Sequence, residues 1–436
     1  MKLDDHPTVK HLRAMGSPPE AGPKVPLDAD WLKGLARQFG ADDVGLVEIE
    51  RPSIQSEASR ILAQFPGART LLAFVCRVNR EPIRSPARSV SNLEFHHVGD
   101  KVNEVAHDLV AALERVGVRA INPAMGFPME MAHFPGRVWV ISHKTIAEEA
   151  GLGMMGIHRN VIHPSMGNFI LLGTIILETE ATAYDHPLSY NPCLECKLCV
   201  AACPVGAIHP DGHFDFSSCY THNYREFMGG FTDWVGLIAD SGSAAEYRRK
   251  VTDSESASMW QSLSYGANYK AAYCMAVCPA GEEVIAPYLA DRRGHVETVV
   301  RPLQEKAEPV YVIGGSDAEV HVQTRFPRKR VRRVQGSLRS KSIQDFLEAL
   351  PHVFQRRNST GWSAVYHFLF TGAEVVEATV KIQDQALTVE SGLSGTCQLR
   401  LTADSQAWLG FLAKERSLGC QRTPHPRFLN HPARCR

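Results

Sequence analysis

Nowhere does the chain run to about 18 consecutive apolar residues, so nothing in it reads as a membrane-spanning helix. Its opening stretch, MKLDDHPTVKHLRAMG, lacks the apolar segment of a secretory signal and any paired arginines, and a cytoplasmic location is expected. There is no internal repeat, and no glycine-rich fingerprint for flavin or nicotinamide, so any redox chemistry must draw electrons from elsewhere. Net charge is missing too: 47 Lys and Arg balance 47 Asp and Glu, which removes the bulk basicity of a nucleic-acid-binding protein.

What remains is globular. Hydrophobic residues make up 44% and charged residues 22% of 436 positions, enough for two domains with real cores. The zero charge conceals an asymmetry. Residues 321–436 carry 18 Lys and Arg against 8 Asp and Glu, so residues 1–320 carry ten more acidic than basic groups. The segment RFPRKRVRRVQGS marks the change, with six basic residues, a proline and a glycine. It reads as a solvated linker or as a docking strip for an acidic partner or RNA.

Ahead of it, short apolar runs alternate with helical patterns, which predicts an α/β or α+β fold. RTLLAFVCRV (69–78), RVWVIS (137–142) and FILLGTIILE (169–178) read as buried strands. Val102, Val105, Leu109, Leu113 and Val116 mark one helix face, and KTIAEEAGLG reads as another helix. Behind it, Ile343, Phe346, Leu347 and Leu350 mark a helix. Alternating strands follow around 364–370, 375–382, 386–391 and 397–402, then a helix through Trp408, Leu409 and Leu412, a small α+β domain.

Eleven cysteines in a reducing compartment call for metal or redox chemistry rather than disulfides. Cys193, Cys196, Cys199 and Cys203-Pro204 follow the C-x2-C-x2-C-x3-C-P spacing of bacterial ferredoxins. Three thiolates on a tight loop reach three irons of one cubane, while the fourth, on the following helix, points to another cluster. Cys274 and Cys278-Pro279 supply the end of a second motif. The ferredoxin crossover then implies one [4Fe-4S] cluster on Cys193, Cys196, Cys199 and Cys278. Cys203 and Cys274 go to the other, with Cys219 as third ligand because position 271 is Ala271. That second cluster is either [3Fe-4S] or a [4Fe-4S] cluster with one non-cysteine ligand. A zinc site is the alternative for the run. Cys76, Cys397, Cys420 and Cys435 read as ordinary thiols.

At these motifs the chain resembles the cobalamin-dependent iron-sulfur reductases, the superfamily of reductive dehalogenases and epoxyqueuosine reductase. SHKTIAEEAGLGMMGIHRNVIHPSMGNFILLGTIILET (142–179) looks like that family's AGLG segment and strand, and the resemblance covers about residues 30–290. It implies a nitroreductase-like corrinoid-binding core over 1–185, a two-cluster ferredoxin-like module over 186–290, and a linker over 291–336. It also implies cobalamin beside Gly151, Gly153, Gly156, His158 and Asn160, the glycines letting backbone approach a flat macrocycle. A tight helix end is the plainer reading of the same glycines.

The position of the family's proton-donating aspartate falls on Arg137, a poor general acid suited instead to an anionic substrate. Proton-donor candidates are His133, His143, Lys144, His158, Tyr265, Tyr269 and Lys270; Tyr269 and Lys270, just before the second motif, are placed to face the cofactor. Residues 337–436 resemble sterol-carrier-protein-2-like domains, implying an apolar ligand or simply structural cover. The expected function is a reductive-dehalogenase-like enzyme acting on a small organic substrate, halogenated or aromatic, fed by an external ferredoxin, flavodoxin or reductase. Its competitors are an epoxyqueuosine-reductase-like enzyme acting on tRNA, which Arg137 speaks against, and an electron-transfer or lipid-binding protein without corrinoid chemistry. Nucleic acid is set aside as partner.

Overall fold

The computed structural model describes residues 2–16, 25–126, 130–134, 138–270, 272–336 and 340–413. They form two units, Met1–Gln335 and Gly336–Arg436.

The first unit is organised by one sheet in the order β1 (Asp43–Glu48), β2 (Thr70–Arg77), β6 (Ile170–Leu177), β3 (Ala120–Ile121). Every pairing in it is antiparallel, so the unit is α+β rather than α/β. Its central strands read as unbroken apolar runs because both faces are covered. Leu72, Phe74 and Cys76 share one core with Val102, Val105, Leu109 and Leu113 of the long helix Arg88–Arg115. Leu71, Ala73 and Val75 face a second core with Ile54, Ile61, Ile146 and Ala147. Period-two alternation thus decides which core each residue joins, not whether it is buried. Val116, counted into the helix face, is exposed beyond the helix end.

The helix His143–Glu149 starts where the Ser142 side chain accepts the Thr145 N–H. It leads into a two-stranded hairpin of β4 (Met154–Met155) and β5 (Val161–Ile162). The strand expected over 137–142 is not formed: residues 138–142 run irregularly into the helix, and Arg137 lies outside the described residues.

Residues 291–336 are no linker. They contain helices, the parallel pair β7 (Pro309–Ile313) and β8 (Arg330–Val334), and the helix Asp317–Arg325. Val310, Val312, Ala318 and Val322 are buried in the first unit's main core. The basic strip is absorbed into ion pairs within the unit: Arg328 with Glu305, Lys329 with Glu308, Arg332 with Glu255 and Arg333 with Glu319. Four of its six basic residues are thereby engaged, Arg332 by an acid 77 residues earlier.

The second unit has a four-stranded sheet, β9 (Ala364–Thr371), β10 (Val376–Gln383), β11 (Ala386–Ser391) and β12 (Leu399–Asp404), in the order β11-β10-β9-β12. Helices Ile343–Val353 and Ser405–Leu412 complete it, and Phe346, Phe368, Phe370 and Trp408 meet edge-on or stacked in its core. Among the described residues, no helix is long and apolar enough to cross a membrane.

Candidate iron-sulfur site

The first cysteine run is a loop that turns at Lys197, whose φ of +55° is left-handed, into the short helix Leu198–Ala202, with Cys203 as its extended C-cap. The second motif is carried by the short helix Tyr273–Ala276. Leu198, Cys199, Ala202, Met275, Ala276 and Val277 lie in one core, so packing of the two helices brings together motifs about 80 residues apart in sequence.

The thiols of the two motifs adjoin one another. Burial pushes Cys278 up to about 12, with Cys196 and Cys193 among its charged neighbours. Cys199 is raised by burial, then by Cys274, Cys278, Cys196 and Cys193. Burial likewise raises Cys219, followed by Cys203 and Cys274, and pushes Cys274 up to about 11, followed by Cys203. Cys274 adjoins thiols of both motifs, Cys199 and Cys278 on one side and Cys203 and Cys219 on the other, and the crossover expects Cys193, Cys196, Cys199 and Cys278 as one set and Cys203, Cys219 and Cys274 as the other. Buried thiols at such values stay protonated without a cation, so binding iron here must release protons.

Cys203 is prepared as an anion ligand. Burial raises it, but the backbone N–H groups of Ala207, Val205, Ile208 and Gly206 pull it back, with the Ala207 nitrogen 3.3 Å from Sγ. Among the described residues no three His, Cys, Asp or Glu side chains close around a single ion. Cubane ligands each take a different iron and need not converge on one point.

Lys144, His158 and Asn160 gather at the second set. Asn160 Nδ2 lies 3.8 Å from Cys274 Sγ, and the Lys144 ammonium donates to Arg159 O at 2.5 Å and to Asn160 Oδ1 at 3.4 Å. The Lys144 side chain is exposed as a whole, but loss of water around its ammonium lowers that group, while the Cys274 and Cys219 thiols act to raise it. His158 Nδ1 accepts the Asn160 N–H at 3.2 Å, and burial holds the imidazole down at about 4, so it is neutral. Asn160 and Lys144 thus adjoin the thiols, and His158 holds the Asn160 backbone in place.

The other expected catalytic residues are elsewhere. His143 is half-buried, held between Thr174 Oγ1 at 2.9 Å and Ala124 O at 3.0 Å. Tyr269 packs edge-on against Phe95 and Phe227. Lys270, 5% exposed, is ion-paired with buried Glu226. Tyr269 and Lys270 both border a cavity of about 20 Å³, room for a water-sized guest but not for a cofactor. Tyr265 is exposed, and Arg137 and the His133 side chain lie outside the described residues.

The glycines do not form a cradle for a macrocycle. A Cβ at Gly151, whose φ is +72°, would stand 2.6 Å from His186 O; one at Gly153 would stand 2.4 Å from Ile162 O, and one at Gly156 2.7 Å from Ile162 Cδ1. The chain itself fills the space beside each, so they serve the helix end and the β4–β5 hairpin. This segment does not fit as the corrinoid contact that the resemblance implied.

Two further groups support the cysteine loop from the former linker. Gln304 Nε2 donates to Ala201 O at 2.9 Å, and His321 Nε2 lies 3.3 Å from Cys203 O. Neither belongs to a motif, and no spacing in the sequence points to them.

No family model matches the chain. Part of it is similar to epoxyqueuosine reductases. That of Cellulophaga algicola is 32% identical over 151 residues, 33% of this chain and 44% of that protein. That of Prochlorococcus marinus is 46% identical over 83 residues, 19% of this chain and 26% of that protein. The chain thus spans less than half the length of these curated relatives. Among solved structures, an epoxyqueuosine reductase from Streptococcus thermophilus gives a TM-score of 0.36 at 15% identity, covering 62% of this chain and 74% of that one. A reductive dehalogenase structure gives 0.39 at 15% identity, covering 87% of this chain and 43% of that one. The sequence relatives agree with the resemblance to cobalamin-dependent iron-sulfur reductases read from the motifs.

Proposed function

We propose that the chain is an iron-sulfur reductase of the epoxyqueuosine-reductase kind, within the cobalamin-dependent superfamily. The observation that carries the reading is the meeting of the two cysteine motifs, with the helix Tyr273–Ala276 packed on the helix Leu198–Ala202 and Cys278 packed with Cys193. Two iron-sulfur clusters held there supply single-electron relay. Cys193 and Cys196 are partly exposed and Cys203 is buried, so a ferredoxin, flavodoxin or reductase would deliver electrons at the Cys193 end and the second set would pass them inward.

The chain's own residues do the holding. Backbone N–H groups around Cys203 and the Asn160 amide beside Cys274 stabilise thiolate charge, and Lys144 adds a cation near Cys219 and Cys274. The second set has three thiols, so its cluster is either [3Fe-4S] or a [4Fe-4S] cluster completed by a non-cysteine ligand.

The sequence relatives carry the epoxyqueuosine reductase name, which favours that reading over the small-molecule dehalogenase expected from the motifs. It also returns a modified nucleoside in RNA to the list of substrates, which the balanced charge had set aside. Reducing an epoxide to an alkene consumes two electrons and two protons and releases water, a stoichiometry that serial one-electron delivery can meet.

Anaerobic purification, iron and sulfide analysis, and low-temperature EPR test the clusters. Iron for two clusters with both sets occupied supports the reading; iron for one cluster overturns it. Incubating reduced protein, with and without cobalamin, with tRNA bearing epoxyqueuosine or with a halogenated aromatic then separates the two substrates. Loss of the epoxide alone supports the tRNA reading, and halide release alone restores the dehalogenase.

A further inference from the structure

A second charged cluster lies apart from the thiols, in the first unit. Glu308 is 3% exposed. It accepts from Arg88 Nη2 at 2.8 Å, Lys329 Nζ at 2.7 Å and Tyr273 OH at 2.7 Å, and Lys306 Nζ stands 3.5 Å away. One carboxylate therefore faces three cations.

No neighbouring acid makes up the difference. Glu226 is committed to Lys270, to Ser258 and Ser262 at 2.7 and 2.6 Å, and to Asn268 at 2.8 Å. Arg225 and Asp233 neutralise one another. Counting Arg88, Lys270, Lys306 and Lys329 against Glu226 and Glu308 leaves two positive charges in excess among the described residues. Arg88 and Lys306 keep 23% and 20% of their side-chain surface exposed, so the excess is partly desolvated, and a counter-ion or the loss of a proton relieves what remains of its cost.

The cluster also borders a cavity. A space of about 20 Å³ is lined by Arg88, Ser91, Asn92, Lys270, Tyr273 and Lys306, which is room for about one water-sized guest. Arg88 Nε is buried with no hydrogen-bond partner. Arg88 is also the first residue of the 28-residue helix Arg88–Arg115, whose N-cap residue, Ala87, supplies no side-chain cap. The unsatisfied N–H groups at such a helix start favour negative charge.

We propose that this cavity is a binding site for a small monovalent inorganic anion of the halide type, held by Arg88, Lys270 and Lys306 at the start of the helix Arg88–Arg115. The guest is limited to halide size by the volume, which leaves no room for a phosphate or a substrate carboxylate with its attached carbon skeleton. Its role is to tie the helix start to the segment leading into Cys274. The inference stands independently of what the thiols bind. Loss of a lysine proton is the competing solution to the same excess, and it would leave the cavity indifferent to halide.

The experiment is urea unfolding of the purified holoprotein in rising sodium chloride or sodium bromide, each matched in ionic strength with sodium gluconate, whose anion is too large for the cavity. The wild type should show a halide-specific rise in midpoint that stays logarithmic above the dissociation constant, each tenfold more halide adding a constant increment as for any ligand of the native state. Lys306→Gln, at a partly exposed position, should weaken halide dependence at least tenfold, and Arg88→Met should abolish it. Crystals grown in bromide should place an anomalous peak against Arg88 and Lys306, a readout that does not depend on the variants folding. Equal midpoints in halide and gluconate for the wild type, or halide dependence unchanged in Lys306→Gln, would overturn the proposal. So would bromide found only on the surface, an adventitious ion only.

Discussion

Asn160 directs its side-chain amide at Cys274, with 3.8 Å between Nδ2 and Sγ, while its own N–H is held by the neutral ring of His158. The bond fixes a donor beside a thiol that adjoins both cysteine sets. Donors to a ligand sulfur stabilise the more negative, reduced state of a cluster and raise its potential. Asn160→Leu should therefore lower the potential of one cluster by some tens of millivolts and leave the other in place. A redox titration followed by EPR reads both, and an unchanged potential would remove Asn160 from the second set.

Cys219 is the ligand that spacing alone could not assign, and it neighbours Cys203 and Cys274. Cys219→Ser should cost the second cluster, leaving roughly half the iron, because oxygen is a poor replacement where thiolates hold iron. Cys397→Ser, in the other unit, should change nothing. Iron content equal to wild type in Cys219→Ser would return the third ligand to an open question.

Much of the framework was legible because it is written in local pattern. The run from Thr70 to Arg77, the heptad-like face of Val102, Val105, Leu109 and Leu113, and all four strands of the second unit were visible as periodicity. What was missed depends on partners distant in sequence. The basic strip looked like linker because Glu255, which pairs with Arg332 from 77 residues away, carries no mark of its destination. Lys270 looked ready to face a cofactor because Glu226 lies 44 residues away in sequence. The glycines of AGLG carry the same letters whether a macrocycle or the His186 carbonyl fills the space beside them.

Phe74 and Gly173 are register partners on β2 and β6, and a Cβ on Gly173 would stand 2.2 Å from the Phe74 ring. The ring lies over the glycine in a core where neither has room to move. Gly173→Val should destabilise by at least the ~1–3 kcal/mol typical of overpacking. Phe74→Ala should cost about 3–5 kcal/mol through the cavity it leaves. The double variant should recover part of the loss, since the valine then enters that cavity. Urea midpoints for the four proteins give the coupling directly.

His222 should make the first unit acid-sensitive well above the carboxylate range. Its Nδ1 accepts the backbone N–H of Tyr311 on β7 at 3.3 Å, and the residue is 1% exposed. Burial, opposed by Glu308 and reinforced by Arg88, holds the imidazole down at about 3 against an ordinary 6.5. The unfolded chain therefore takes up a proton at this residue below pH 6.5, while the folded chain stays unprotonated there until about pH 3. Protons favour the state that binds more of them, so stability is lost as pH falls through that window. The limiting slope is about 1.4 kcal/mol per pH unit for one such group. His222→Gln keeps an acceptor for the Tyr311 N–H but does not titrate. Between pH 7.5 and 5.5, where iron-sulfur proteins can be handled anaerobically, wild type should lose stability relative to the variant only below about pH 6.5. A difference between the two proteins that does not vary with pH would mean that His222 becomes protonated in the folded protein as readily as in the unfolded one.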